Sequence, residues 1–347
     1  LALAEAFPGA PIYTSTYIPE NVPAFKNYDV RTTYLQNLPK PLRKLHKFFP
    51  MLRVNAFRAL DLSDFDIIIS SSSAEAKQVR KTRAGQVHIC YCHTPIRYYW
   101  SHYDEYKKDP GFGRLNWLVR LMMPLMVPGL KRADYEAAQH IDVFIANSTE
   151  VQKRITRYYG QPSTVVHPPV DIDRFAPSKE RADYYVAIGR QVPYKRIDLA
   201  VAAATKLSLP LRVYGSGSEH DRLVAMAGPT VEFFTERFGN ASDKAVAEAL
   251  NQAKGVIFPA EEDFGIVQVE AMAAGAPVVA YAKGGSLDIV QDGESGVLFD
   301  EQTANAVAAA IERLDSISFS PALLRRKAKR FSKELFIMKL HKIVLSL

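Results

Sequence analysis

The chain of 347 residues is longer than one hydrophobic core usually supports, and its length favours two domains. Apolar residues make up 48% and charged residues 23%, which excludes a disordered, collagenous or low-complexity protein. The two cysteines, Cys90 and Cys92, lie on one predicted strand, and neither a disulfide framework nor a zinc site is expected. No apolar stretch approaches the ~20 residues of a membrane span, and no signal peptide opens the chain, so we expect a cytoplasmic protein.

The net charge of +7 is concentrated in the first half of the chain. Residues 1–170 contain 22 basic and 14 acidic residues, or +8, whereas residues 171–347 contain 22 and 23, or −1. One stretch mixes bases with apolar residues and contains no acid; its bases are Lys40, Arg43, Lys44, Lys47, Arg53 and Arg58. Such a stretch suits an anionic surface, and no nucleic-acid-binding signature accompanies it. We therefore expect a lipid surface and no nucleic acid, with a solvated helix face as the alternative.

Strands and helices alternate along the first half. The apolar run 66–70 is short and continuous, which is typical of buried parallel strands. The predicted strands are 10–14, 66–70, 87–91, 143–146 and 163–167, and the predicted helices are 1–6, 74–82, 113–139 and 149–159. A doubly wound sheet normally begins with a strand, whereas this chain opens on the end of a helix. We therefore expect the first strand and its following loop to be missing.

A second alternating series follows a proline-containing linker at 168–175. Its predicted strands are 184–189, 211–215, 231–234, 255–259 and 277–281, and its predicted helices are 196–207, 243–251, 267–274, 284–290 and 302–314. The pattern predicts an α/β protein with two Rossmann-like, doubly wound domains, residues 1–170 and 171–330, and a C-terminal helix within 331–347 that packs near the domain junction. Ligands of such sheets bind at the carboxyl ends of the strands, so the domains are expected to face a cleft.

The most specific segment follows the predicted strand 255–259. Gly265 lets the backbone approach a ligand, and the amides at the start of the next helix form an anion site; they belong to Phe264, Gly265, Ile266 and Val267. Glu262 is suited to bind hydroxyls, and Glu270, about two helical turns later on the same side, can accept from another pair. Two polyol-binding carboxylates beside an anion site indicate a nucleotide sugar. A helix-capping acid and a solvated helix residue are the alternatives.

Other candidate residues stand at predicted strand ends. Arg190 and Lys195, after Gly189, can clamp a pyrophosphate and stabilise its charge as a glycosidic bond breaks, with surface salt bridges as the alternative. The glycine-rich loop after the next strand contributes Gly215, Ser216 and Gly217. In the first domain, His93 ends a strand and faces the expected cleft, with a structural histidine as the alternative. His88 is expected to be buried or at an edge.

Glu262 and Glu270, together with the glycine turn at 283–285, match the Glu-x7-Glu signature, and the chain resembles the family-4 retaining glycosyltransferases of GT-B fold. It is similar in particular to bacterial mannosyltransferases of O-antigen and exopolysaccharide assembly. The resemblance implies that His93 contacts the transferred sugar and that Arg190 and Lys195 bind the donor pyrophosphate. With Glu262, these are the expected catalytic residues.

No metal or other cofactor is implied. The motif 64–66 imitates an Asp-x-Asp metal motif, but it leads into a predicted buried strand. Arg190 and Lys195 can supply the positive charge that a metal would provide. The retaining mechanism stays open, and no nucleophile is assigned.

The resemblance implies transfer of mannose or a similar hexose, with GDP-mannose as the favoured donor, to a lipid-linked oligosaccharide in surface polysaccharide biosynthesis. We expect peripheral attachment to an anionic membrane surface on the cytoplasmic side of the inner membrane, for which residues 112–132 are a second candidate segment. The alternatives are a UDP-sugar donor, because the base-edge loop 233–238 departs from the family pattern, and a non-catalytic nucleotide-sugar or glycan-binding module. A nicotinamide dehydrogenase is disfavoured because no Gly-x-Gly-x-x-Gly follows a strand.

Overall fold

The structure is a computed structural model that describes residues 1–39, 43, 49–101, 103–108, 113, 116–178, 180–234 and 243–347. Its contacts divide the chain into two units. The first unit comprises Leu1–Val166 and Leu340–Leu347, and the second comprises His167–Lys339. The last eight residues of the segment 331–347 thus belong to the first unit.

The first unit contains a four-stranded parallel sheet in the order β3-β4-β5-β6 and a separate parallel pair, β1-β2. The strands are β1 Ile12–Thr14, β2 Val30–Thr32, β3 Ile67–Ser72, β4 Val87–Cys92, β5 Val143–Ala146 and β6 Thr164–Val165. Five of the six β4 residues are buried, as expected for an apolar strand with neighbours on both sides. Five predicted strands are therefore present, β6 in shortened form, and β2 was not predicted.

The described helices of the first unit surround these strands. They are α1 Ala2–Ala6, α2 Pro50–Arg58, α3 Tyr103–Lys108, α4 Asn116–Gln139 and α5 Thr149–Tyr159. The predicted bounds of α5 are confirmed because its caps are local: the Ser148 hydroxyl accepts from the Val151 amide, and Gly160 adopts a left-handed conformation with φ 67°. Part of the basic stretch forms α2, in agreement with the alternative prediction of a helix face.

The predicted helix 74–82 is wrong. Only a short 3-10 helix, Glu75–Gln78, forms there. The Lys77 amide donates to the Ser72 hydroxyl (3.3 Å), and Val79 is extended with ψ 145°. The Ser72 hydroxyl thus accepts from the Lys77 amide, which competes with helical hydrogen bonding in this segment. The chain leaves the helical conformation directly after Gln78.

The same turn places the Lys77 ammonium in the interior of the unit. Lys77 is 1% exposed and lies 2.5 Å from the Asp134 carboxylate, which is fully buried on α4. The Asp134 carboxylate also accepts from the Trp100 indole (2.8 Å) and the Tyr159 hydroxyl (2.7 Å). Burial is the largest single influence on the pKa of Lys77 and lowers it, but the charge and hydrogen bond of Asp134 together with the neighbouring Cys92 and Cys90 outweigh burial, and the pKa is raised. This buried pair joins α4, α5 and the 3-10 turn.

The second unit contains a six-stranded parallel sheet in the order β12-β11-β10-β7-β8-β9. The strands are β7 Tyr185–Ile188, β8 Leu211–Tyr214, β9 Val231–Phe234, β10 Gly255–Phe258, β11 Val278–Tyr281 and β12 Gly296–Phe299. The chain runs outward from β7 to β9 and then returns to the other side of β7 at β10. The strand order therefore reverses between β7 and β10, which makes this a doubly wound sheet with a topological switch point.

Both faces of this sheet are covered by apolar clusters. Val256 and Phe258 belong to one cluster and Ile257 to the other, because successive residues of a strand point to opposite faces. The helices of the second unit are α6 Ile197–Leu207, α7 His220–Met226, α8 Asp243–Gln252, α9 Ile266–Ala273, α10 Ser286–Ile289, α11 Ala304–Asp315 and α12 Pro321–Ala328, followed by α13 Lys333–Leu345, which ends in the first unit. Three of these elements, α7, α12 and β12, were not predicted from the sequence.

We expect Asp134→Ala to lower the free energy of unfolding of the first unit by about 3–5 kcal/mol, because the Lys77 ammonium would stay buried without its counter-ion. Urea denaturation followed by tryptophan fluorescence measures this unit, since both tryptophans, Trp100 and Trp117, lie in it. Arg132→Ala is the matched control on α4. It removes an exposed pair with Glu136 and should cost less than about 1 kcal/mol. An unchanged midpoint for Asp134→Ala would contradict the assigned role.

Candidate functional site

The predicted donor-binding residues meet at the carboxyl edge of the second sheet. Loops 189–195, 215–217, 259–265 and 282–285 follow β7, β8, β10 and β11 in turn. These four strands are parallel neighbours, so their following loops lie at the same edge. The loops after β7 and β10 flank the switch point, where sheets of this type bind ligands.

The loops after β7 and β8 are joined by backbone and by one buried side chain. The Gly189 amide donates to the Tyr214 carbonyl (3.1 Å), and the Gln191 amide donates to the Ser216 carbonyl (2.9 Å). The Gln191 side chain is fully buried and donates to the Gly215 carbonyl (2.7 Å). Gln191, which was not predicted as a site residue, fixes the glycine-rich loop against the loop that carries Arg190 and Lys195.

The loop after β10 is shaped by two glycines. Gly265 has φ 92°, in the left-handed region, and directly precedes α9. Gly285 donates its amide to the Glu262 carbonyl (2.9 Å), and a Cβ at Gly285 would lie 2.3 Å from the Phe264 Cα. Only glycine allows this approach of the two backbones. The turn 283–285 therefore supports the loop that carries Glu262.

Phe264 can contribute only its backbone to a ligand. Its side chain is buried and packs against His167 (ring centroids 5.4 Å apart) and Phe331 (5.5 Å). Ile266 and Val267 begin α9 at the edge of the sheet, and Ile266 is exposed. The predicted anion site thus consists of main-chain groups at the start of a helix, anchored by a buried aromatic ring.

The two predicted cations differ in their surroundings. Lys195 ends the 3-10 helix Pro193–Lys195, and its ammonium pairs with the Glu262 carboxylate; both side chains are 18% exposed. The pair connects the loops on the two sides of the switch point. Arg190 is exposed, and its guanidinium donates to the Tyr194 hydroxyl (3.0 Å). The structure therefore joins Lys195 to Glu262 and leaves Arg190 at the surface beside them.

Glu270 is paired in a way that the sequence did not reveal. Its carboxylate accepts from the Arg174 guanidinium at 2.6 Å, and it is 16% exposed. Arg174 lies in the segment predicted as a linker, 96 residues before its partner. No pattern in the sequence distinguishes Arg174 from a surface arginine, because a contact over this separation is created by the fold.

His93 lies in the first unit, directly after β4, as predicted. Its amide donates to the Ser72 carbonyl (2.9 Å), and its Nε2 lies 2.9 Å from the Ser71 hydroxyl. His88 is buried and bonded to the Ser70 hydroxyl (2.8 Å), and burial lowers its pKa to about 4. His93 is partly exposed at a strand end, whereas His88 is a neutral core residue over the ordinary pH range.

The acidic motif 64–66, which resembles a metal motif in the sequence, contributes Asp66 to an ion pair within the first unit. Asp66 forms an ion pair with Arg83, whose guanidinium also donates to the Ser63 carbonyl (2.9 Å). Across the described ranges of the chain, no three His, Cys, Asp or Glu side chains are grouped as metal ligands would be.

Comparison with known protein families gives two matches that together span most of the chain. Residues 1–174 match the model of Glycosyltransferase Family 4, and residues 170–333 match that of Glycosyl transferases group 1. The first match alone extends over half of the sequence. The chain belongs to glycosyltransferase family 4.

Curated relatives include D-inositol 3-phosphate glycosyltransferases of Mycobacterium sp. (strain JLS), 33% identical over 222 residues, and of Geodermatophilus obscurus, 31% identical over 227 residues. The matches cover 56% of this chain, and 49% and 50% of those proteins. The chain thus spans about half the length of the curated relatives it matches.

Solved structures establish the fold. Sucrose-phosphate synthase from Thermosynechococcus elongatus superposes with a TM-score of 0.70 at 20% identity, over 99% of this chain and 90% of that one. Anabaena HepE in complex with UDP and glucose has a TM-score of 0.69 at 17% identity, over 100% and 94%. The predicted GT-B fold is confirmed. The finer resemblance to O-antigen mannosyltransferases stays a prediction.

Proposed function

We propose that the protein is a retaining glycosyltransferase that transfers a hexose from a nucleotide sugar, with mannose from GDP-mannose as the favoured donor. The observation that carries this proposal is the Lys195–Glu262 pair across the switch point, beside the start of α9. It combines a phosphate-binding cation, a hydroxyl-binding carboxylate and main-chain donors within one set of loops. Membership of glycosyltransferase family 4 supports the same reaction class.

The donor diphosphate would bind at the start of α9. Lys195 has three N–H donors, so it can hold Glu262 and a phosphate oxygen at the same time. Lys195 and the exposed Arg190 would stabilise the negative charge that develops on the leaving diphosphate, and they make a bound metal unnecessary in this proposal. Glu262 would bind hydroxyls of the transferred sugar. His93 is proposed to contact the same sugar from the first unit.

A nucleotide sugar has hydroxyls on both sides of its diphosphate. If Glu262 binds the sugar, Glu270 is left for the ribose. Glu262 lies in the loop that precedes α9, whereas Glu270 lies on α9 itself, so the two carboxylates do not share one helix as the sequence suggested. We assign Glu270 to the nucleoside side of the donor.

A UDP-sugar donor is the second candidate. The Anabaena neighbour was solved with UDP and glucose, and on that likeness we keep a uridine nucleotide as the alternative donor. The predicted base-edge loop 233–238 lies outside the described residues from position 235 onward. Calorimetric titration with GDP, UDP, GDP-mannose, UDP-glucose and NAD separates the two donors and tests the dehydrogenase alternative.

We further propose that the acceptor is a lipid-linked glycan and that the first unit contacts an anionic membrane surface on the cytoplasmic side. The first half of α4 presents an apolar row to solvent: Trp117, Leu121 and Leu125 are 65%, 63% and 74% exposed. They are spaced four residues apart, so they lie along one side of the helix. Exposed bases lie near this row or flank it in sequence: Lys107, Lys108, Arg120, Lys131 and Arg132.

The basic stretch 40–58 supports this surface less than the sequence suggested. Arg53 pairs with Glu75 (2.7 Å) and Arg58 donates to Gln78 (3.1 Å), so both guanidinium groups are engaged within their own unit. The other predicted bases of this stretch lie outside the described residues, except Arg43. No described helix is both long and apolar enough to cross a bilayer. The α4 row is therefore the principal candidate for membrane contact.

We expect Lys195→Ala to weaken the affinity for the preferred nucleoside diphosphate by about 1.5–3 kcal/mol, because a charge-assisted contact is lost and Glu262 is left facing the phosphates. Calorimetry with GDP and UDP measures the change. Lys206→Ala is the control, since Lys206 contacts Asn305 (2.9 Å) on the surface of the same unit. Undiminished nucleotide binding by Lys195→Ala would remove the proposed clamp.

We expect His93→Ala and Glu262→Gln to lower turnover far more than affinity for the bare nucleotide, because both residues are proposed to contact the transferred sugar. Product formation from the donor that binds, with lipid-linked oligosaccharide acceptors, gives turnover. His140→Ala is the control in the first unit. Transfer at the parental rate by both variants would show that the site is misplaced. Binding without any transfer by the parental protein would favour the non-catalytic module.

We expect the protein to sediment with phosphatidylglycerol vesicles and not with phosphatidylcholine vesicles, and to be released by high salt. Each basic residue near an anionic leaflet contributes about 1 kcal/mol to the free energy of membrane binding, and salt screens this electrostatic contribution. Leu121→Gln with Leu125→Gln should weaken binding by removing apolar insertion. Met338→Gln, an exposed apolar position in the second unit, is the control. Indifference to lipid charge would favour an acceptor in solution.

A further inference from the structure

Residues 167–175, called the connector here, begin the second unit and pack directly against the proposed donor site. Its prolines predicted a linker. In the structure it contains the 3-10 helix Ile172–Arg174. Within this helix Ile172 is buried and Arg174 is half-buried. Its contacts with α9 indicate a function in the site itself.

The first contact is the ion pair between Arg174 and Glu270. The Arg174 Nη2 and Glu270 Oε1 atoms are 2.6 Å apart, and the side chains are 30% and 16% exposed. The Arg174 guanidinium also lies 4.7 Å from the centroid of the Phe175 ring, which is buried. A short, partly buried ionic hydrogen bond orients the carboxylate. A carboxylate has about four acceptor positions, so the bond to Arg174 by itself does not use all of them.

A second arginine ties the connector to the end of α9. Arg325 on α12 donates to the carbonyls of Ile172 (3.2 Å), Phe175 and Ala273 (3.2 Å). Its Nη2 also donates to the Asp173 carboxylate (3.0 Å). Ala273 is the last residue of α9, the helix that carries Glu270. The position of Arg174 relative to Glu270 is thus set by one guanidinium group.

The beginning of the connector is held as well. The His167 ring stacks on Phe264 at 5.4 Å with an interplanar angle of 24°, and it contacts Phe331 edge-on at 5.2 Å. The Val170 amide donates to the Phe331 carbonyl (2.9 Å). Phe264 directly precedes Gly265 and the start of α9. The connector therefore contacts both the beginning of α9, through Phe264, and its later turn, through Glu270.

From these contacts we propose that Arg174 is a positioning residue that orients the Glu270 carboxylate toward the ribose hydroxyls of the donor nucleotide. The inference rests on the proposed function, because it requires a nucleotide at this edge of the sheet. Arg174 acts through Glu270 and does not itself contact the ligand. Its loss should therefore remove the preference for a ribose over a nucleotide that lacks the two hydroxyls, rather than weaken all nucleotides equally.

The test is calorimetric titration with GDP and UDP and with their 2′,3′-dideoxy counterparts. The parental protein should prefer the ribonucleotide at least about tenfold, the value of one hydrogen bond to a charged group. Arg174→Ala and Glu270→Gln should each bring this ratio close to one, and the double variant should show no further loss. Arg174→Lys, which keeps the charge, should restore part of the preference.

Arg313→Ala is the matched control, because it removes an ion pair with Asp292 (2.7 Å) in the same unit, and the ribose preference should stay parental. Arg174→Gln replaces Arg174→Ala if the latter does not fold. A variant that keeps the full ribose preference while its thermal midpoint falls would overturn the inference and assign Arg174 to stability alone. A parental protein that binds nucleotides without ribose preference would also overturn it. Absence of all nucleotide binding would overturn the proposed function, and this inference with it.

Discussion

The candidate site depends on one constraint of parallel sheets, which is that the loops after two adjacent strands diverge only where the strand order reverses. In the second unit this happens between β7 and β10. The loop after β7 carries Lys195 and the loop after β10 carries Glu262, and their ion pair spans the divergence. The glycine turn after β11 and the buried Gln191 hold these loops from either side. The charged pair is thus a consequence of sheet topology.

The two units contain ion pairs with different burial, and burial decides what each pair can do. Lys77 and Asp134 are shielded from water, and the Asp134 carboxylate has further partners in Trp100 and Tyr159. The Lys77–Asp134 pair can only stabilise the fold, because separating the two groups would leave an unpaired charge in the interior. The Lys195–Glu262 pair keeps part of its surface in solvent. A ligand can therefore reach both charges.

Helix α4 combines a buried anchor with an exposed apolar row. Its later half is fixed by Asp134 and by buried residues that include Leu130, whereas none of its residues before Val127 is buried. Exposure of Trp117, Leu121 and Leu125 to solvent raises the free energy of the isolated unit in water. The buried residues in the later half of α4 fix the helix, so these three side chains stay exposed. The connector of the second unit has a comparable arrangement, because Arg325 fixes the segment that presents Arg174 to Glu270.

Local patterns in the sequence determined the elements and the chemical types of the site. Most strands of both sheets are short apolar runs with turn residues after them, and α5 has its limits set by Ser148 and Gly160, so neighbouring residues were enough to place them. Glu262, Glu270, Gly265 and the turn 283–285 were found because their spacing along the chain is itself the signal. The alternation of strands and helices predicted doubly wound parallel sheets, but it did not give the order of the strands or the place where that order reverses.

Tertiary structure decided the partners. Lys77 lies in a segment with helical composition, yet its amide donates to Ser72 and its ammonium pairs with Asp134, 57 residues later, so a short 3-10 helix forms in place of an α-helix. Arg174 and Arg53 look like surface bases in the sequence, but the fold brings each to a carboxylate. The physical reason is the same in each case. A charged side chain that is partly or fully removed from water is stabilised by an opposite charge close to it in space, and the spacing of two residues along the sequence does not give the distance between their side chains.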